Sequence, residues 1–248
     1  MPKLILCEGR TDAILISYYL AKTAGWLYLK NGNCKDFLTR KDDNEELNWY
    51  RKNDESLCVW GCGGINNIPT KLNEVVDRNK NEIKNSNLFN KIAIIIDHDT
   101  RTQDENKTLI QGWIAGATIQ MPPANFVLGN WGLASYDNQQ GKQLHLQILP
   151  MVLPSAATGN LESFLLGAIK ANGGEEEAVV DQAQTFIDNL AAVSFIQKHR
   201  YKGKAQLGTA LSVFSPERVF TEEHARLTAI DWTQYDAVNT AFAVLKSI

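Results

Sequence analysis

The chain has no excess of basic residues. Its 248 residues include 25 Lys and Arg against 28 Asp and Glu, which gives a formal net charge of −3. Proteins that hold DNA tightly and without sequence preference normally depend on a basic excess, because neutralising phosphates supplies most of that affinity. If nucleic acid is the substrate, either a local patch meets it or a partner brings it.

Long apolar runs and paired cysteines are also missing. No run approaches the roughly 18 residues that a membrane-spanning helix needs. The apolar stretch at the N-terminus ends at Glu8, too early for the apolar part of a signal peptide. Four cysteines occur; Cys58 and Cys62 are spaced CxxxC, with no CxxC partner or nearby histidine to complete a zinc site. We therefore expect reduced thiols that pack as small apolar side chains, and a cytoplasmic protein that does not bind membranes.

Several motifs of common enzyme classes are absent. The sequence contains no GxxxxGK[ST], which excludes a P-loop ATPase. The GCGGIN segment lacks the third glycine of a dinucleotide-binding GxGxxG. Ser155 and Ser163 lie outside any GxSxG context, which disfavours a serine hydrolase.

Three short apolar runs, at 2–7, 57–60 and 91–96, are each followed by a turn and then by a helical pattern. Continuous apolar runs of this length are typical of strands buried on both faces of a parallel sheet. The sequence therefore predicts an α/β fold, with a parallel sheet of about four strands sandwiched by helices.

The domain organisation follows from the same patterns. Residues 1–155 are predicted to form the α/β domain, with a charged insertion at about 25–56 that we expect to face solvent and to be partly helical. Residues 156–248 carry mainly helical patterns and are predicted to form a C-terminal extension packed on that domain.

Acidic residues follow two of the predicted strands. Glu8 comes directly after the first, and Asp97 and Asp99 flank His98 after the strand at 91–96. If the strand conformation continues past residue 97, both aspartates project to one face and His98 to the other. Adjacent carboxylates are tolerable when a cation lies between them, and oxygen ligands suit Mg²⁺ or Mn²⁺. Solvated aspartates at a strand end are an equally common alternative.

The combination of motifs resembles the Toprim domain of topoisomerases, bacterial-type primases and OLD-family nucleases. The chain lacks the further domains of the larger enzymes and is most similar to stand-alone, OLD-related Toprim proteins. The resemblance covers roughly the first half of the chain and is carried by Glu8, Gly9, Asp12, the turn with Gly61, Gly63 and Gly64, and Asp97 with Asp99.

The resemblance implies roles for these residues. Glu8 would act as general acid/base or metal ligand, and Asp97 and Asp99 would hold Mg²⁺ or Mn²⁺. Asp12 could instead only cap the following helix. The glycines would let the backbone turn closely beside the carboxylates.

Two downstream segments resemble the OLD-type group. TGNLESFLL contains Glu162, which would help to bind a second metal ion, although an acidic residue in a first helical turn is also favoured by the helix dipole. KGKAQLGTALS contains Lys202 and Lys204; a lysine in that segment, Lys204 here, would stabilise charge developing at a phosphate. Solvated lysines are the alternative.

Three functions remain open from the sequence. The leading hypothesis is metal-dependent phosphoryl transfer on nucleic acid, with DNA favoured over RNA and phosphodiester hydrolysis as the reaction. The second is a non-cleaving subunit that binds nucleic acid or nucleotide beside a separately encoded ATPase. The third, a phosphatase with an aspartyl nucleophile, leaves the EGRTD motif without a purpose.

Overall fold

The computed structural model describes residues 1–30, 38–155, 158–190, 193–194, 196 and 199–248, with the side chains of 199 and 200 left aside. Within these residues one sheet contains β1 (Lys3–Cys7), β2 (Leu27–Tyr28), β3 (Glu46–Lys52), β4 (Glu55–Gly61), β5 (Lys91–Asp97), β6 (Gly132–Asp137) and β7 (Gln143–Leu153). The helices are α1 (Arg10–Ala24), α2 (Ile68–Asn81), α3 (Gln103–Gly116), α4 (Leu161–Lys170), α5 (Gly174–Asn189), α6 (His199–Phe214), α7 (Glu223–Leu227) and α8 (Asp236–Phe242).

The strand order is β2-β3-β4-β1-β5-β7-β6. The four central strands, β4, β1, β5 and β7, are mutually parallel, whereas β2, β3 and β6 add to them antiparallel. The predicted α/β class, flanking helices and helical C-terminal region are thus confirmed. The sheet is larger than the four strands predicted, because antiparallel strands extend both of its sides.

The insertion predicted at about 25–56 differs from the expectation. In its described part, β3 extends the sheet where we predicted a solvent-facing, partly helical segment; residues 31–37 lie outside the described residues. A two-residue turn, with Asn53 at φ +53°, joins β3 to β4 as a hairpin. Trp49 and Tyr50 are both buried, in the apolar layers on opposite faces of the sheet. Adjacent strand residues point to opposite faces, so these two aromatic side chains fix β3 in the sheet despite its charged neighbours.

Both faces of the sheet are covered. Along β1, Ile5 packs into the layer formed with α1, α4 and α8, and Leu6 packs into the layer formed with α2 and α3. This double burial explains the continuous apolar runs in the sequence. Cys7, Cys58 and Cys62 are buried, while Cys34 lies outside the described residues. Among the described helices, none combines the length and the apolar content that a membrane crossing requires.

Candidate metal and phosphate site at the carboxyl ends of β1 and β5

Glu8 and Asp97 meet because their strands are neighbours. Glu8 directly follows β1, Asp97 is the last residue of β5, and the two strands pair in parallel with Cys7 opposite Ile95. The backbone N–H of Asp97 donates to Oε1 of Glu8 at 2.9 Å. The Glu8 carboxylate therefore lies over the carboxyl end of β5. In α/β proteins, ligands bind outside the carboxyl ends of the parallel strands.

The glycine turn after β4 supports the Glu8 turn. The backbone N–H of Gly64 donates to the carbonyl of Glu8 at 2.7 Å. Gly63 and Gly64 have φ values of +76° and +134°, a region that favours glycine. A Cβ on Gly61 would lie 2.4 Å from the carbonyl oxygen of Gly9. Only glycine therefore allows the backbones of the two turns to approach this closely.

Asp12 both caps a helix and belongs to the acidic cluster. It is the third residue of α1, and its Oδ2 accepts the N–H of Gly9 at 3.0 Å. This is the capping role that the sequence left open. Asp12 is also buried beside Glu162, and its pKa is raised by burial first and by the charge of Glu162 second.

Asp97 and Asp99 do not share a strand face, contrary to the alternation we expected. β5 ends at Asp97, and Asp99 has a left-handed backbone with φ +50°. Asp97 Oδ1 accepts the N–H of Leu161, at the start of α4, at 3.0 Å. Asp99 forms a backbone bridge with Gly159, and its carboxylate pairs with Arg101 at 3.1 Å. Both aspartates therefore remain beside Glu8 for a different reason, since the segment before α4 pairs with the turn after β5.

Glu162 and Lys204 join this cluster from the helical region. Glu162 is the second residue of α4 and only 5% exposed. The ammonium group of Lys204, on α6, forms an ion pair and hydrogen bond with Glu162 Oε1. Lys202 pairs instead with Asp188 on α5 at 2.9 Å. Of the two lysines in the segment, Lys204 is the one that contacts the acidic cluster.

The cluster contains more negative charge than the surrounding protein balances. Burial, assisted by the charges of Asp12 and Asp99, raises the pKa of Glu8 to about 7, although the hydrogen bond from the Asp97 N–H opposes the rise. Burial and the charge of Glu162 raise the pKa of Asp12 to about 6. The pKa of Asp97 is held well above its ordinary value by burial and then by the neighbouring carboxylates. A bound cation would relieve this mutual repulsion.

The carboxylates are close, yet each is engaged with a donor from the protein. In the part of the chain described, no group of three or more Asp, Glu, His or Cys side chains is already arranged around a metal position. One oxygen each of Glu8 and Asp97 accepts a backbone N–H, and the other forms no hydrogen bond with the described residues. These free oxygens fit a hard divalent cation, which accepts carboxylate and water ligands together. The donor set therefore fits Mg²⁺ or Mn²⁺ provided that the side chains adjust.

Sequence reasoning missed the residues that hold the aspartates in place. Arg101 donates to the Asp97 carbonyl at 2.9 Å and, through Nε, to the buried Asn106 at 2.6 Å, in addition to pairing with Asp99. An arginine two residues after the last aspartate was a visible signal. Asn160 and Ser163 cap α4 reciprocally, and this Asn-x-x-Ser pattern before an apolar run was also readable.

The fold and site together define an α/β protein with an acidic cluster at the carboxyl edge of a parallel sheet. The chain belongs to the family described as "Protein of unknown function (DUF3226)", which matches residues 2–241. Its structure is similar to that of hypothetical protein PH0156 from Pyrococcus horikoshii OT3, with a TM-score of 0.52 and 14% identity over 98% of this chain and 99% of that chain. At this identity the similarity shows the fold alone. No curated protein matches the chain significantly.

Proposed function

We propose that the chain is a Toprim-type enzyme that performs divalent-metal-dependent phosphoryl transfer on nucleic acid, with hydrolysis of DNA phosphodiesters as the favoured reaction. The proposal rests on five acidic side chains and one lysine that meet at the carboxyl ends of β1 and β5: Glu8, Asp12, Asp97, Asp99, Glu162 and Lys204. These residues lie between positions 8 and 204 of the sequence, and the fold brings them together at the carboxyl ends of two central strands. The resemblance to Toprim motifs supports the same assignment.

The acidic residues have separable roles in this proposal. Asp97, Asp99 and Glu8 would hold one Mg²⁺ or Mn²⁺, and Glu162 would help to hold a second. A metal ion bound there activates water and stabilises negative charge on phosphate oxygens. In the metal-free protein the pKa of Glu8 is about 7, so its carboxyl group can exchange a proton near neutral pH; acting as general acid/base is therefore the alternative to its role as a metal ligand.

The basic residues complete the arrangement. Lys204 has a side chain that is 41% exposed although its ammonium group contacts buried Glu162, so it can reach a substrate phosphate from the edge of the cluster. Arg101 is a positioning residue, because its guanidinium is occupied by Asp97, Asp99 and Asn106.

Nicking of supercoiled plasmid in Mg²⁺ or Mn²⁺ tests the proposal. We expect wild-type protein to nick, and Asp97→Asn and Glu8→Gln to lose at least about a hundredfold in rate, the scale on which positioned acid/base groups act. Asp104→Asn, which removes an exposed carboxylate from α3, is the control and should keep full activity. Equal turnover in wild type and in both site variants would refute the proposal.

A second candidate is a non-cleaving subunit that binds nucleic acid or nucleotide beside a separately encoded ATPase. The observation that favours it is the engagement of each cluster carboxylate with a protein donor. Thermal unfolding distinguishes the candidates: stabilisation by metal ions in wild type but not in Asp97→Asn, without nicking, would favour the binding role.

A further inference from the structure

A cavity lies directly beside the acidic cluster, between the start of α1 and helices α6 and α7. Its volume is about 190 Å³, and it shares Glu162 and Lys204 with the cluster. Thr11, Glu223 and Arg226 supply its other polar groups, and leucines from α6 and α7 supply apolar walls. Whatever occupies this cavity therefore lies next to the proposed reaction site.

Arg226 is the unusual group in this cavity. Its Nε is buried and has no hydrogen-bond partner among the described residues. Glu223, three residues earlier on the same short helix, is the obvious partner for it, yet the Glu223 carboxylate accepts the hydroxyl of Thr11 at 2.5 Å. The buried Nε is closed to the cavity, but the terminal Nη groups of the same guanidinium also have no acceptor among the described residues. Because Arg226 lines the cavity, these terminal N–H groups are available to an anion that enters it.

We infer that this cavity is a second phosphate subsite, in which Arg226 binds a phosphate of the nucleic acid next to the one that reacts. The identity of the polymer rests on the proposed function; the anion chemistry rests on Arg226 alone. A guanidinium presents parallel N–H donors that match two oxygens of one phosphate. The cavity volume of about 190 Å³ far exceeds the roughly 15 Å³ that a single water molecule needs, so a phosphate group fits within it.

The balance of charge in the cavity sets a sharper expectation. Lys204 and Arg226 are offset by Glu162 and Glu223, so the lining carries no net positive charge. Hydrogen bonding by Arg226 must then provide the affinity, while Glu223 opposes it by repulsion. Glu223→Gln keeps an oxygen that can accept the Thr11 hydroxyl and removes the repelling charge. Affinity for phosphate should therefore rise in Glu223→Gln and fall in Arg226→Gln.

Binding of inorganic phosphate and of thymidine 5′-monophosphate, measured by ³¹P NMR in EDTA at constant ionic strength, tests the inference without metal or catalysis. We expect Arg226→Gln to weaken both at least tenfold and Glu223→Gln to strengthen both. Gly208→Leu is a second, independent variant: Gly208 lines the cavity on α6, and a Cβ there meets no atom within 4 Å, so a larger side chain can fill the space. Arg218→Gln is the matched control, since Arg218 is half-exposed and lies between α6 and α7.

Octanucleotides with and without a 5′-phosphate identify the source of the phosphate. Equal, Arg226-dependent binding of both assigns an internal phosphate, and binding of the phosphorylated one alone assigns a terminal phosphate. Failure of wild type to bind phosphate at tens of millimolar, or equal weakening by Arg218→Gln, would overturn the inference. Arg226→Gln loses no hydrogen bond to a described residue, so its unfolding midpoint should not fall. Absence of plasmid nicking with phosphate binding intact would count against the proposed function only.

Discussion

Neutralising Glu8 should stabilise the metal-free protein at alkaline pH. The folded structure raises the pKa of this carboxyl from 4.5 to about 7, chiefly by burial. In the window between those values the folded protein keeps a proton that the unfolded chain has lost. The contribution of Glu8 to stability is therefore fully present below about pH 4.5 and is lost as the pH rises through about 7.

The size of the effect follows from the same shift. A pKa difference of this extent corresponds to about 3 kcal/mol of lost stability above pH 7, as an upper value because the neighbouring acids titrate together. Glu8→Gln preserves the acceptor for the Asp97 N–H and removes the ionisation. The variant should match wild type near pH 4.5 and exceed it by up to about 3 kcal/mol near pH 8.

Urea unfolding in EDTA at intervals from pH 4.5 to 8.5 measures this difference. Glu175→Gln, an exposed position in the first turn of α5, is the control and should follow wild type throughout. Mg²⁺ or Mn²⁺ at about a thousand times its Kd should reverse the order, because binding then adds about 4.1 kcal/mol to the stability of wild type. Parallel stability curves for wild type and Glu8→Gln across the range would refute the reasoning.

Two further predictions concern the support of the site. Gly61→Ala places a Cβ 2.4 Å from the Gly9 carbonyl oxygen, so it should lower the free energy of unfolding in urea by about 1–3 kcal/mol and reduce nicking. The control is Gly112→Ala, at an exposed position on α3 where a Cβ meets no atom within 4 Å; it should change neither quantity. Lys71→Met removes the cationic partner of buried Glu45 and leaves it only two neutral donors among the described residues, the Trp60 indole N–H and the Lys41 backbone N–H. This change should cost about 3–5 kcal/mol in the same unfolding assay, whereas adding Glu45→Leu should recover much of the loss.

The parallel core could be predicted because β1, β4 and β5 are buried on both faces and read as continuous apolar runs. The added strands could not, since their signals are mixed. In β3 the pair Trp49–Tyr50 stands between charged residues, and burial of the two rings on opposite faces depends on pairing with β4. Tertiary context decides such strands more than composition does.

The site was predictable where a carboxylate directly follows a buried strand, as with Glu8 and Asp97. Asp99 lies in the cluster, but not for the reason we predicted, because its left-handed backbone breaks the alternation we assumed. Arg226 could not have been found. Arg226 lies near Thr11 because α7 packs against α1. This packing joins residues far apart in sequence, since Thr11 and its partner Glu223 are separated by 212 positions, and no local pattern marks Arg226.

The hydrogen bond from the Leu161 N–H to Asp97, with the bridge between Asp99 and Gly159, limits the modularity of this protein. The backbone just before and at the start of α4 thus forms hydrogen bonds with both Asp97, the last residue of β5, and Asp99. A fragment that stopped at residue 155 would lose that amide, together with Glu162 and Lys204, and a chimera carrying a foreign helical region would have to supply an N–H at the same point. Recombination at the α/β boundary would therefore separate Glu8 and Asp97 from the Glu162–Lys204 pair that the helical region adds to the cluster.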